Sequence, residues 1–228
     1  MKPQFVIIAG PNGAGKSLYG HIYVPAGTEI FNGDLIFAGL VKKYPAYDPQ
    51  ILAGGVPMQL EKDKDYAIKN RLNFGFETNY ANDMASEISL EFNHAGYEST
   101  LLYFGLNDLE NSRARVKTRF ALGGHNVPID TINFNMKEGI RRVRENLGLY
   151  DHILFADTSV MGTAPIIAYY HKVDNELKIL DDKAKWFEKK FVKSLAELER
   201  SRSVTLDKTN YLGIKRKKGT ELDGGLGL

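Results

Sequence analysis

Cysteine is absent from the 228 residues, which excludes a disulfide framework, a thiolate metal site and a cysteine nucleophile. Long apolar runs are missing too. The first one, Phe5–Ala9, is too short for the hydrophobic region of a signal peptide, and no segment approaches bilayer-spanning length. A cytoplasmic protein without membrane contact is therefore expected. Charge of one sign is not in excess: 30 basic against 28 acidic residues leave a net charge of +2, so the chain as a whole carries no nucleic-acid or membrane footprint. No internal repeat is evident. The remainder, 43% hydrophobic and 25% charged, is ordinary globular composition, and the length suits one α/β domain.

Against that plain background one stretch stands out. Gly10-Pro11-Asn12-Gly13-Ala14-Gly15-Lys16-Ser17 satisfies the phosphate-binding pattern G-x-x-x-x-G-K-[ST] at every fixed position. Phe5–Ala9 before it has buried-strand length, and Leu18 to Tyr23 after it can continue as a helix. Glycines let successive backbone N–H groups turn toward one anion, and the helix N-terminus adds its partial positive charge. Lys16 is then expected to reach the β- and γ-phosphates of a nucleoside triphosphate, and the Ser17 hydroxyl to ligate Mg²⁺. The cofactors implied are ATP and Mg²⁺. The guanine-selecting motif N-K-x-D is absent, and the chain is too short for an ATPase core plus a large substrate domain.

The rest of the chain alternates strand and helix signals. Strands are expected at Phe5–Ala9, Thr28–Asn32, Asn73–Glu77, Tyr97–Phe104 and His152–Asp157. Helices are expected at Leu35–Lys43, Met58–Leu72, Asn82–Ala95, Leu109–Leu122 and Ile129–Leu147, the first of them stopped near Pro45 and Pro49. This alternation predicts a mostly parallel five-stranded sheet with helices on both faces, an α/β P-loop NTPase fold. Ile166–Val173 and Glu176–Leu180 read as an added C-terminal β-hairpin, and Lys183–Arg200 as a last amphipathic helix. One kinase-like domain is expected over residues 1–200, with a lid at about 119–130. Residues 201–228, which include Lys215-Arg216-Lys217-Lys218, read as a loosely ordered basic tail.

Ligands of open parallel sheets gather at the carboxyl ends of the strands, so the acids there are candidates. Asp34 follows the second strand and can accept the proton of an attacking hydroxyl or hold a water on Mg²⁺; it can equally serve as a helix N-cap. Glu77 closes the third strand, next to Thr78, as an acceptor ligand or an outer-sphere metal partner, or simply as part of a cap. Asp157 ends the fifth strand either as a Walker B acid or as an ordinary strand-end aspartate. Arg115 and Arg119 share a helix face before Gly123-Gly124-His125-Asn126-Val127-Pro128, where a lid closing over phosphates needs glycine and cation. Arg141, Arg142 and Arg144 form a second basic cluster; solvated helix faces explain about half of these arginines.

Taken together, Gly10–Ser17, Asn32-Gly33-Asp34, Phe76-Glu77-Thr78 and the segment from Arg115 to Pro128 resemble the zeta toxin family of P-loop kinases, in the family's order over about two-thirds of the chain. The resemblance implies phosphorylation of the 3′-hydroxyl of the amino sugar in UDP-N-acetylglucosamine with ATP and Mg²⁺. For some members it also implies a small helical antitoxin partner. On it, Asp34 is the general base, Lys16 and Ser17 hold ATP and Mg²⁺, and Glu77 and Thr78 contact the acceptor. One departure stands out: Ile132-Asn133-Phe134-Asn135-Met136-Lys137 holds no arginine where relatives carry closely spaced ones, which leaves Arg119 or Arg144 as the catalytic cation. A kinase for another small acceptor, such as an antibiotic or nucleoside, and a nucleotide-dependent regulatory ATPase are the alternatives.

Overall fold

The structure, a computed structural model, describes residues 2–121 and 127–203. The lid glycines and the basic tail named above lie outside the described residues, apart from the lid's two flanks and residues 201–203.

Seven strands form one sheet: β1 (Gln4–Ala9), β2 (Glu29–Asn32), β3 (Phe74–Thr78), β4 (Glu98–Gly105), β5 (His152–Asp157), β6 (Ile166–His171) and β7 (Glu176–Ile179). Their order is β2-β3-β1-β4-β5-β6-β7, with the first five parallel and the last two antiparallel. The expected five-stranded parallel sheet is thus present. The C-terminal hairpin does not stand apart from it but extends its edge, with His152 of β5 opposite His171 of β6.

β1 is central because both of its faces are apolar, as a buried parallel strand requires. Phe5, Ile7 and Ala9 enter one core, where the Phe5 ring stacks on Phe92 at 4.2 Å between centroids. Val6 and Ile8 enter the other, against Leu102 and Phe104. Each fully buried aromatic or branched side chain contributes about 1.5–3 kcal/mol relative to exposure.

The helices are α1 (Lys16–Tyr19), α2 (Gly33–Lys43), α3 (Pro49–Ala53), α4 (Gly55–Asn70), α5 (Met84–His94), α6 (Leu109–Ala121) and α7 (Ile129–Asn146). A last helix, α8, starts at Lys185–Phe187, passes a π-helical turn at Glu188–Val192 and continues through residues 193–203. α3 corrects the expectation that Pro49 only ends a helix. Pro49 takes the first helical position, where its missing N–H costs nothing, and Asp48 caps the Gln50 N–H at 2.7 Å. α1 is also shorter than expected and passes into a 3₁₀ turn at Gly20–Ile22.

Candidate active site at the carboxyl ends of β1, β2 and β3

The loop between β1 and α1 is shaped by its glycines. A Cβ on Gly10 would lie 2.3 Å from the Phe104 carbonyl oxygen, so only glycine lets β1 turn beside β4. Gly13 and Gly15, both at φ 77°, curl the backbone in the left-handed region that favours glycine. Neighbouring elements brace the loop. Ser112 of α6 donates to the Asn12 carbonyl at 2.6 Å, and Asn135 of α7 donates to the Asn12 side chain at 2.9 Å.

Lys16 is folded back into this loop. Its Nζ donates to the carbonyls of Gly10 (2.8 Å) and Pro11 (3.1 Å) and to Asn79 Oδ1 (2.8 Å), which occupies all three ammonium protons. Burial lowers its pKa from the ordinary 10.5 to about 8; Arg119 adds to the lowering, while Glu77 and Asp34 oppose it. Burying a cation costs free energy, and such a cost is common where a group serves a site rather than the fold.

A cleft of about 430 Å³ opens in front of the loop. Gly13, Gly15, Lys16 and Ser17 form one wall, with Arg115 and Arg119 of α6 beside them. Asn32 to Asp34 at the β2–α2 junction and Glu77 to Asn79 after β3 also line the cleft, and Asn32, Glu77 and Asn79 are in hydrogen-bond contact with Ser17 or Lys16. Phe31, Val56, Pro57, Leu60, Phe76 and Met84 supply an apolar side, a feature that sequence reading missed because Val56 and Pro57 belong to the first turn of α4.

Each acid or amide at the strand ends has a distinct task. Asn32, not Asp34, caps α2, accepting from the Leu35 N–H at 3.2 Å. The exposed Asp34 carboxylate forms no hydrogen bond among the described residues and lines the cleft. Glu77 Oε1 accepts from the Ser17 hydroxyl at 2.8 Å, and Asn32 Nδ2 donates to the same hydroxyl at 3.3 Å. Thr78 faces the cleft while its Oγ1 accepts from the Tyr80 N–H at 3.0 Å.

Among the described residues no group of three or more His, Asp or Glu forms a metal cage. Ser17 and Glu77 nevertheless put a hydroxyl and a carboxylate oxygen side by side, a hard-oxygen pair that fits Mg²⁺ held largely by phosphates and water.

The arginines separate. Arg119 lines the cleft and forms no hydrogen bond or ion pair among the described residues. Arg115 reaches the cleft too, but its guanidinium is tied to the carbonyls of Thr158 (2.6 Å) and Ser159 (3.2 Å). Arg144 is not brought to the cleft: its Nε donates to Ser194 of α8 at 3.0 Å, because it lies on the face of α7 turned toward that helix. Arg113 donates to Asn133 Oδ1 at 2.7 Å, joining α6 to α7. The arginine-free stretch Ile132–Lys137 thus supplies asparagines that brace the loop and α6. Asp157 also stays out of the cleft, since Trp186 Nε1 (2.9 Å) and the Ser159 hydroxyl (2.6 Å) hold its Oδ1.

No family model matches the chain, and no curated protein matches it in sequence. Solved structures do match. The AvrRxo1-ORF1:AvrRxo1-ORF2 complex with sulphate ions superposes at TM-score 0.59 and 14% identity over 83% of this chain, and its form with ATP at 0.58 and 15%. The chain spans 63% of the length of the matched chain in both. The PezAT chromosomal toxin-antitoxin system of Streptococcus pneumoniae matches at 0.54 and 16% identity, over 88% of this chain and 85% of that one. The likeness is one of architecture: the chain shares the α/β fold of these structures, a mixed seven-stranded sheet with helices packed on it.

Proposed function

We propose that the chain is an ATP-dependent phosphotransferase of the zeta toxin type, acting on a hydroxyl of a nucleotide-sugar such as UDP-N-acetylglucosamine. One observation carries this reading. Lys16 and Ser17 of the phosphate loop line one cleft together with Asp34 and Glu77, so donor and acceptor sites share one space. The matched structure that contains ATP supports the donor half.

The chemistry follows from the placement. Backbone amides of the loop hold the polyphosphate together with Lys16, which exchanges its bonds to the Gly10 and Pro11 carbonyls for phosphate oxygens, and Arg119 serves the terminal phosphoryl group. Asp34, free of capping duty, accepts the proton of the acceptor hydroxyl as that oxygen bonds to the γ-phosphorus. The bond between the γ-phosphorus and the β,γ-bridging oxygen breaks, and ADP leaves. Ser17 and Glu77 would hold Mg²⁺, which neutralises charge on the β- and γ-oxygens when bound. Thr78 and the apolar side at Phe31, Val56 and Met84 receive the acceptor.

The matched PezAT toxin-antitoxin system favours a small antitoxin as partner. A cytoplasmic location is part of the same reading; no helix among the described residues is long and apolar enough to cross a membrane.

The test is incubation of purified protein with ATP, Mg²⁺ and UDP-N-acetylglucosamine, followed by mass spectrometry. The expected product is the sugar nucleotide heavier by one phosphate, with one ADP released per product. A cell extract treated in the same way finds a different acceptor if the sugar nucleotide is untouched. ADP release that is independent of any acceptor overturns the transferase reading in favour of a nucleotide switch.

A further inference from the structure

Asn79 follows the Glu77-Thr78 pair at the end of β3, and its side chain is the third partner of Lys16. The Lys16 ammonium has only donors to offer, so the Asn79 amide must turn its oxygen toward it. That orientation fixes the rest of the group. The two Nδ2 protons point away from Lys16, and no described residue accepts them. Asn79 is half-buried and lines the cleft, so these donors are left for a group bound there.

The backbone that carries this amide is held unusually firmly. Tyr80, fully buried, adopts the left-handed region at φ 58°, which bulky residues enter only when their surroundings compel it. Its hydroxyl meets the Tyr150 hydroxyl at 2.8 Å, and Ser89 meets that same hydroxyl at 3.0 Å. On the other side, Gly139 of α7 sits against the Asn79 carbonyl so closely that a Cβ there would lie 2.4 Å from the oxygen. Strain and close packing of this kind fix a polar group in advance of its ligand.

We propose that Asn79 is a γ-phosphate ligand: its oxygen holds Lys16 while its Nδ2 donates to a terminal phosphoryl oxygen of the bound triphosphate. The proposal rests on the nucleotide-site reading above and deepens it. The phosphate loop cradles the inner phosphates and Lys16 reaches the β- and γ-groups. Asn79 lines the cleft with Glu77 and Asp34 and is bonded at 2.8 Å to the Lys16 ammonium, so its free donors are placed for the outer phosphate that Lys16 reaches. A neutral donor suits this position, because the Lys16 ammonium is already bonded to the same amide.

The experiment compares a non-hydrolysable ATP analogue with ADP by calorimetry, at fixed free Mg²⁺, on wild type, Asn79→Asp and Asn79→Ala. Asn79→Asp keeps an acceptor for Lys16 but replaces the donors with an anionic oxygen; Asn79→Ala removes both. The expected result is a loss of roughly tenfold to hundredfold in affinity for the analogue, with ADP affinity within about threefold of wild type. Thermal unfolding of both variants reports that the fold is retained. Equal losses for both nucleotides overturn the proposal, because Lys16 serves the β-phosphate as well and a purely structural role spares neither. Unchanged affinity for the analogue in both variants overturns it too. If wild type binds neither nucleotide, the nucleotide-site reading itself fails, and that outcome is distinct because it appears before any substitution is made.

Discussion

The Ser17 hydroxyl donates to Glu77 Oε1 across 2.8 Å, linking the start of α1 to the end of β3. Sixty residues apart in sequence, these two groups meet because β1 and β3 are adjacent parallel strands with Ile8 opposite Glu77. A hydroxyl and a carboxylate in contact at a phosphate loop are placed for a divalent cation. Ser17 is exposed, so its loss touches little of the core. Ser17→Ala is expected to lower the Mg²⁺-dependent gain in ATP affinity by about tenfold. Glu77→Gln, which can still accept from Ser17, is expected to raise the Mg²⁺ concentration needed for half-maximal activity severalfold. Titration of each variant with and without Mg²⁺ checks both. An unchanged Mg²⁺ requirement in the two variants would remove this pair from the metal site.

At the β2–α2 junction the helix cap and the proposed general base are different residues. Asn32 caps α2, so the Asp34 carboxylate has no structural hydrogen bond to lose. Asp34→Ala is expected to leave stability within about 0.5 kcal/mol and ATP affinity within about twofold. Phosphotransfer is expected to fall by a factor on the order of 10² to 10⁴. Single-turnover kinetics beside a binding isotherm make the comparison. Normal transfer rates in this variant would reject the general-base role.

Lys16 makes pH a probe of the site. Its folded-state pKa of about 8 lies below the ordinary 10.5, so the folded protein gives up this proton before the unfolded chain does. Between those two values the unfolded state binds more protons, and the Lys16 contribution to stability rises with pH. Below pH 8 both states are protonated, and the folded state bears the full cost of burying the ammonium. Lys16→Met is therefore expected to raise the stability of ligand-free protein near neutral pH by about 1 kcal/mol while abolishing ATP binding. In wild type, ATP affinity is expected to weaken as pH rises through about 8, since phosphates bind the charged form. Chemical denaturation across the pH range and calorimetry at several pH values give the two readouts.

Arg119 and Arg144 divide the question of which cation serves the phosphates. Arg119 lines the cleft and influences Lys16 electrostatically, whereas Arg144 is bonded to Ser194. Arg119→Ala is expected to slow phosphotransfer by roughly tenfold to a thousandfold, with a smaller effect on ADP affinity. Rate and binding measurements on this variant test it. Transfer at the wild-type rate would leave the phosphoryl group without a side-chain cation from α6 other than the already bonded Arg115.

Sequence carried the phosphate loop and most of the sheet because both depend on residue type at fixed spacing. Gly10–Ser17 allows few other conformations, and apolar runs such as Phe5–Ala9 signal a strand buried on both faces. Strand ends fell within about two residues of expectation, since glycine and asparagine punctuate them. Contacts made across the fold were less legible. Pro49 looks the same whether it ends one helix or begins the next, and only the Asp48 cap decides. Arg144 has the composition of a phosphate ligand, yet the rotation of α7 turns it toward α8. The Asp157 side chain is held by Trp186, 29 residues away, a pairing no local pattern announces. Asn79 was within reach: it lies two residues past Glu77, and the strand-end rule that selected Glu77 extends naturally to it.

Gly139 ties the helical layer to the chemistry of the cleft. It lies in the middle of α7, where glycine is about 1 kcal/mol less favourable than alanine, so helix propensity argues against it. Its place is explained by Asn79, whose carbonyl oxygen would sit 2.4 Å from an added Cβ. Backbone on both sides cannot yield as a flexible side chain would. Gly139→Ala must therefore move α7 away from the turn or displace Asn79 and the strained Tyr80. The expected cost is about 1–3 kcal/mol of stability, opposite in sign to the propensity gain. Because Asn79 holds Lys16, ATP affinity should fall with it. An alanine of the same chemistry at exposed Gly39 in α2, where a Cβ meets nothing within 4 Å, should instead raise stability slightly. Denaturant midpoints and ATP isotherms for the two variants settle the matter: a stabilised Gly139→Ala protein with normal ATP affinity would show that α7 does not position the turn.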